Sequence, residues 1–154
     1  MEKPKFSEKN IITTFERPKE FQEEEVVGEY PIDLTSLLWL KDEVTGGAMY
    51  SECHWIWGKR IPGIFTEWKS HSHDFDEVLC FIGSNKDDPT DLGAELEITI
   101  DGKQYTINKT CMIYIPRGVS HLPLKYIRID RPFIFATHGN GQYQYQYQYQ
   151  TEED

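Results

Sequence analysis

The sequence predicts an all-β fold, an antiparallel barrel or sandwich, on three observations. Short apolar, β-branched and aromatic runs recur between clusters of Gly, Pro, Asn and Asp. No stretch carries a convincing amphipathic helical period, and the dipeptide Asp101-Gly102 is a strong hairpin signal. Aromatics make up 14% of the chain; these side chains favour strands and can line a pocket. At 154 residues a single core-forming domain is expected, since such a chain buries about 70% of the surface it exposes when unfolded. Composition divides it into an N-terminal arm over residues 1–25, a barrel domain over 26–141 and a Gln/Tyr tail over 142–154.

Within the arm, one short strand is expected from Asn10 to Phe15, where apolar content rises. Leu34 to Leu40 reads as a strand or one helical turn, ended by turn residues between Asp42 and Gly47. Ala48 to Trp57 reads as a strand covered on both faces, because apolar and aromatic residues fall on both parities. A loop from Gly58 to Gly63 precedes Ile64 to Lys69, which leads into a histidine pair. Ser84 to Gly93 is a polar, acidic surface loop whose carboxylates do not match EF-hand spacing. Glu95 to Ile100 alternates and pairs with Lys103 to Ile107 across Asp101-Gly102. Cys111 to Ile115 reads as a buried strand, and Pro132 to His138 as the last core strand. Between them, Pro123 marks His121 to Tyr126 as an edge or irregular segment. The tail alternates Gln and Tyr up to Gln150, which fits either a ribbon pairing with a neighbouring subunit or a low-complexity extension.

A formal charge of −10, with no basic stripe to offset it, argues against a nucleic-acid partner. The first ten residues hold no apolar signal-peptide core, and no apolar run is long enough to span a bilayer. A soluble cytoplasmic protein is the expectation. Cys53, Cys80 and Cys111 are odd in number and lack C-x-x-C spacing, so they read as buried thiols in a reducing compartment.

The chemistry concentrates in His71-Ser-His73-Asp-Phe-Asp-Glu77 and in Pro116-Arg-Gly-Val-Ser-His121. In an extended strand His71, His73 and Glu77 would project to one side. Pro116 and Gly118 are turn residues that could aim His121 back across a sheet. Four such groups suggest a metal, whereas a His-x-His pair alone would read as a surface accident.

These two stretches resemble the cupin superfamily, whose motifs carry H-x-H-x3-E and P-x-G-x2-H. The resemblance spans Ile61 to His138, with Phe65, Thr110 and Lys125 standing where the motifs usually have Gly, Gly and Asn. It implies a cupin-like double-stranded β-helix, an antiparallel jelly-roll barrel. It also implies one divalent transition metal held by His71, His73, Glu77 and His121. An arm crossing to a second subunit, and hence a homodimer, is a further implication.

Three imidazoles and a carboxylate suit Fe, Mn, Ni, Co or Zn more than magnesium or calcium. On an octahedral ion they leave two positions for substrate or dioxygen, whereas on a tetrahedral zinc they close the site. The implied function is a metal-dependent reaction on a small organic substrate, a dioxygenase first. Isomerase or lyase chemistry, or non-catalytic binding of a small ligand or metal, are the alternatives. Candidate substrate contacts are Arg60 or Arg117 for a carboxylate, the Tyr114 phenol, and Trp55 as pocket wall or core filler. His54 and His138 are possible acid–base groups or structural histidines.

Overall fold

The computed structural model describes residues 5–15, 30–42 and 45–141, so the Gln/Tyr tail and much of the arm lie outside the described residues. After a short 3-10 turn at Glu8–Asn10, the described chain forms strands β1 (Ile32–Leu40), β2 (Tyr50–Lys59), β3 (Phe65–Glu67), β4 (Glu77–Gly83), β5 (Asp91–Ile100), β6 (Lys103–Lys109), β7 (Cys111–Ile115), β8 (His121–Ile129) and β9 (Phe133–Gly139). One sheet has the order β1-β2-β9-β4-β7 and the other β3-β8-β5-β6. Every pairing is antiparallel. With the added edge strand β1 set aside, the chain crosses between sheets from β2 to β3, β3 to β4 and β4 to β5, and again from β6 to β9. That order is a jelly roll, in which two four-stranded sheets enclose one core.

Strand parity decides what the sheets enclose. Ile56 of β2, Leu79 and Phe81 of β4, Leu96 and Ile98 of β5, Leu124 and Tyr126 of β8, and Phe133 and Phe135 of β9 point inward and form one buried cluster. Phe81 and Phe135 stack at 4.8 Å. Phe65, at a motif Gly position, packs against this core and stacks on Tyr126 at 6.3 Å. Thr110, at the other, accepts a hydrogen bond from Gly83 N and donates one to Pro89 O.

Several expectations need correction. Residues 11–15 form no strand, since the local hydrogen bonds close a 3-10 turn at Glu8–Asn10 instead. The run at Leu34 to Leu40 lies in a full edge strand, β1. The acidic loop is shorter than predicted, because Asp91 already pairs with Lys109. Strand β7 is not buried on both faces: it is a sheet edge, with Met112 and Tyr114 76% and 62% exposed. Conversely, β8 is a central strand despite Pro123, which it accommodates beside a register shift at Ile98/Ile100 and a cis Leu122-Pro123 bond. The Asp101-Gly102 hairpin is as predicted, with positive φ at both residues.

Gly83 sits where the two sheets approach each other, and a Cβ there would lie 2.1 Å from the backbone oxygen of Asp91. Gly83→Ala is therefore expected to cost about 1–3 kcal/mol through enforced backbone displacement. An unchanged urea midpoint would contradict that close approach.

Candidate metal centre

Strand alternation alone does not assemble the site. His71 makes only an isolated bridge to His121, residues 72–76 are not strand, and Glu77 opens β4 in the other sheet. The centre therefore forms where one sheet hands the chain to the other. His71 and His121 exchange backbone hydrogen bonds, His71 N to His121 O at 3.1 Å and His121 N to His71 O at 2.9 Å. Gly118, with φ +79°, completes a turn closed by Val119 N donating to Pro116 O, and its own N–H donates to His73 O at 2.8 Å. Asp76 pins the same loop, accepting Arg117 N and Asn140 Nδ2 on its carboxylate and Asn140 N on its carbonyl. Phe75 stacks on the His73 ring at 4.7 Å, and the bare faces of Gly139 and Gly141 leave room for it.

The side chains then converge. Ligand atoms of His71, His73 and His121 lie within 4.8 Å of one another. Glu77 Oε2 is 2.8 Å from His121 Nε2 and 3.4 Å from His73 Nε2. His71 Nδ1 is 2.9 Å from the Lys69 carbonyl and His121 Nδ1 is 3.1 Å from that of Val119. A carbonyl only accepts, so each Nδ1 carries the proton and each Nε2 keeps its lone pair for an ion.

The buried atoms test the fit. Glu77 and His121 are 5% and 2% exposed, yet Glu77 Oε2 and His121 Nε2 have no hydrogen-bond partner. Their 2.8 Å approach lacks hydrogen-bond alignment, so two electron-rich atoms face each other in a desolvated space. Such an arrangement is costly unless a cation or proton sits there. The donor set therefore fits a divalent transition ion. A His71/His73/His121/Glu77 cluster of this kind could bind a metal.

Protonation follows the same logic. Burial depresses His71 to about 4, reinforced by the neighbouring histidines and opposed by its bond to Lys69. For Glu77, burial acts to raise the pKa, but the close His121 and His73 rings outweigh it and hold the group at about 2.

The predicted substrate contacts lie elsewhere. Arg60 follows the end of β2 and pairs with Asp33 at 2.7 Å on the surface. Trp55 has the parity opposite to Ile56 and stacks on Trp57 at 5.0 Å, outside the barrel. Tyr114 also points outward, its phenol beside Asp76. His138 is on the outer parity of β9, against Ser51 Oγ at 2.7 Å. For Trp55, Tyr114 and His138 a one-residue offset in parity separates the interior from the outside, whereas Arg60 lies beyond the strand. Cys80 likewise faces away from the centre, and all three cysteines are free, Cys80 buried as expected but Cys53 and Cys111 only half-buried.

Sequence reasoning missed Glu52 and Glu67. Both lie on inward parities, Glu52 two residues before His54 and Glu67 opposite Leu124. Their alternation with apolar inward residues was the available signal.

No protein-family model and no curated protein matches the chain. Solved structures similar to it include KdgF from a Halomonas species, 12% identical over 77% of this chain and 86% of that one, with a TM-score of 0.43. An RmlC-like cupin from Shewanella frigidimarina is 14% identical over 77% and 82%, at 0.44. A predicted oxalate decarboxylase from Thermotoga maritima is 14% identical over 70% and 78%, also at 0.44. Likeness at this level adds nothing to the fold, which rests on strand order.

The metal-free protein should lose stability as pH falls. The unfolded chain protonates His71 at its ordinary 6.5 while the folded one resists to about 4, so stability drops across that interval. Glu77 contributes stability above 4.5 that is lost as pH falls toward 2. Urea midpoints should therefore be lower at pH 5 than at 7.5; equal midpoints would contradict a buried neutral His71. Strand order, inward parity and the two converging motifs together give this chain a cupin-like double-stranded β-helix.

Proposed function

We propose that the chain is a metal-dependent enzyme acting on a small organic molecule, with a dioxygenase-type oxidation as its reaction. The observation that supports this most is the facing of Glu77 Oε2 and His121 Nε2 across a buried, partnerless contact beside two further imidazoles. His71, His73, His121 and Glu77 would hold the ion, and a bound divalent ion supplies Lewis acidity and open positions for substrate and dioxygen. The carbonyls of Lys69 and Val119 fix the tautomers, Asp76 and Phe75 hold the loop, and Glu77 and His121 are buried while His71 and His73 stay half-buried. Nothing here needs a nucleic acid.

We extend the proposal to a homodimer. Its support is the outer face of the five-stranded sheet, where Trp57, Ile82 and Met112 are exposed. A cytoplasmic location is part of the same reading and is supported by the free thiols. No helix among the described residues is long and apolar enough to cross a membrane.

Protein purified without added metal should contain one transition ion per chain by elemental analysis. His73→Ala should lower metal occupancy at least about tenfold while circular dichroism stays β-rich. Oxygen uptake with candidate substrates should then follow metal content. Metal-loaded protein that binds substrate without consuming oxygen would contradict the oxidative reading, and unchanged occupancy in the variant would contradict the ligand assignment.

A further inference from the structure

The two histidines that bridge β3 and β8 are aimed by an irregularity in the sheet that carries them. Two register pairs bracket it, Glu67 with Leu124 and His71 with His121. Between those pairs the chain takes four steps on the β3 side and three along β8, and β5 covers the same interval in two, from Ile98 to Ile100. Each strand toward this edge thus carries one residue more than its inner neighbour, which makes two bulges side by side. Strict alternation would put Leu124 and His121, three apart, on opposite faces. Both point inward instead, Leu124 into the core and His121 toward Glu77.

Two left-handed residues carry these bulges. Among the described residues other than Gly, positive φ occurs at Trp68, Asp101 and Leu122. Asp101 belongs to the β5–β6 turn, whereas Trp68 at φ +67° and Leu122 at φ +72° fall inside the bulged interval. Left-handed backbone crowds Cβ against the following carbonyl oxygen and is uncommon for residues other than Gly, Asn and Asp. A large side chain held that way is sustained by its surroundings. For Leu122 those are the core, where it is 8% exposed. Trp68 is 47% exposed, so burial of its indole does not account for its backbone. The residues on either side do. Glu67 is tied down by Tyr126 Oη, which donates to it at 2.8 Å, and by Tyr30 Oη. The Lys69 carbonyl accepts from His71 Nδ1 at 2.9 Å. One residue separates the anchored Glu67 from the carbonyl that orients His71, and that residue takes the left-handed turn.

We propose that Trp68 is a positioning residue of the metal centre, whose left-handed backbone between Glu67 and Lys69 sets the direction from which His71 Nε2 reaches the ion. This rests on the reading of His71, His73, His121 and Glu77 as ligands and adds the residue that aims one of them. Trp68 acts through the Lys69 carbonyl and not as a ligand. The backbone conformation is what the centre requires of this position, so among residues lacking the indole Gly suits it best.

The test is a series at one position of the 154-residue chain, Trp68→Gly, Trp68→Ala and Trp68→Val, with cobalt(II) as the probe. All three variants lack the indole, and the cost of a left-handed φ rises from Gly to Ala to Val. Cobalt affinity, read by competition with a chromophoric chelator, should fall in that order, with Val at least about tenfold weaker than Gly. The visible cobalt bands of the Val variant should move toward those of His71→Ala, and those of the Gly variant should lie closer to the wild type's. If the Val variant fails to fold, Ala must still bind at least about threefold more weakly than Gly. Equal affinities and bands across the folded variants, or a series in which only the metal-free unfolding temperature falls, would overturn the proposal while leaving the ligand assignment standing. Wild-type protein that binds no cobalt would instead overturn the ligand assignment and this inference with it.

Discussion

Two backbone carbonyls, those of Lys69 and Val119, set the chemistry of this protein's interior. Each takes the Nδ1 proton of a histidine two residues away, His71 and His121, and so turns a bare Nε2 lone pair inward. Burial then keeps His71 neutral. Without this arrangement the same rings would satisfy themselves with protons, and the Glu77 carboxylate would have ordinary ion-pair partners.

The jelly roll supplies the remaining constraint. His71 and His121 belong to the edge between β3 and β8, whereas Glu77 begins β4 in the opposite sheet. The donors can meet only where the two sheets close, so the stability of that closure and the geometry of the centre are one problem. Gly139 and Gly141 admit Phe75, Phe75 supports His73, and Asp76 ties the loop to Arg117 and Asn140. Packing on the outside of the loop thus fixes lone pairs on its inside.

Much of this was legible in the sequence. Turn chemistry placed the β5–β6 hairpin, and the spacing of His71, His73, Glu77 and His121 named the converging side chains. The reason offered for their convergence was wrong, because His71 and Glu77 lie in different sheets rather than on one strand. Parity was the weak point beyond the motifs. Trp55, Tyr114 and His138 carry plausible chemistry but fall on outward positions, and β2 is aromatic on both faces, so residue type could not say which face was inside. Pro123 misled in the same way, since a register shift lets a central strand hold it. Glu67 escaped notice because its two tyrosine partners, Tyr30 and Tyr126, are 37 and 59 residues away.

The central claim is the composition of the metal's inner coordination sphere. X-ray absorption spectroscopy of the metal-loaded protein reads it directly, through the multiple scattering of imidazole rings and the identity of the nearest atoms. The account predicts three imidazole nitrogens and a carboxylate oxygen at about 2.0–2.2 Å, with no sulfur. A sulfur shell, or an ion with fewer than two imidazoles, would contradict it.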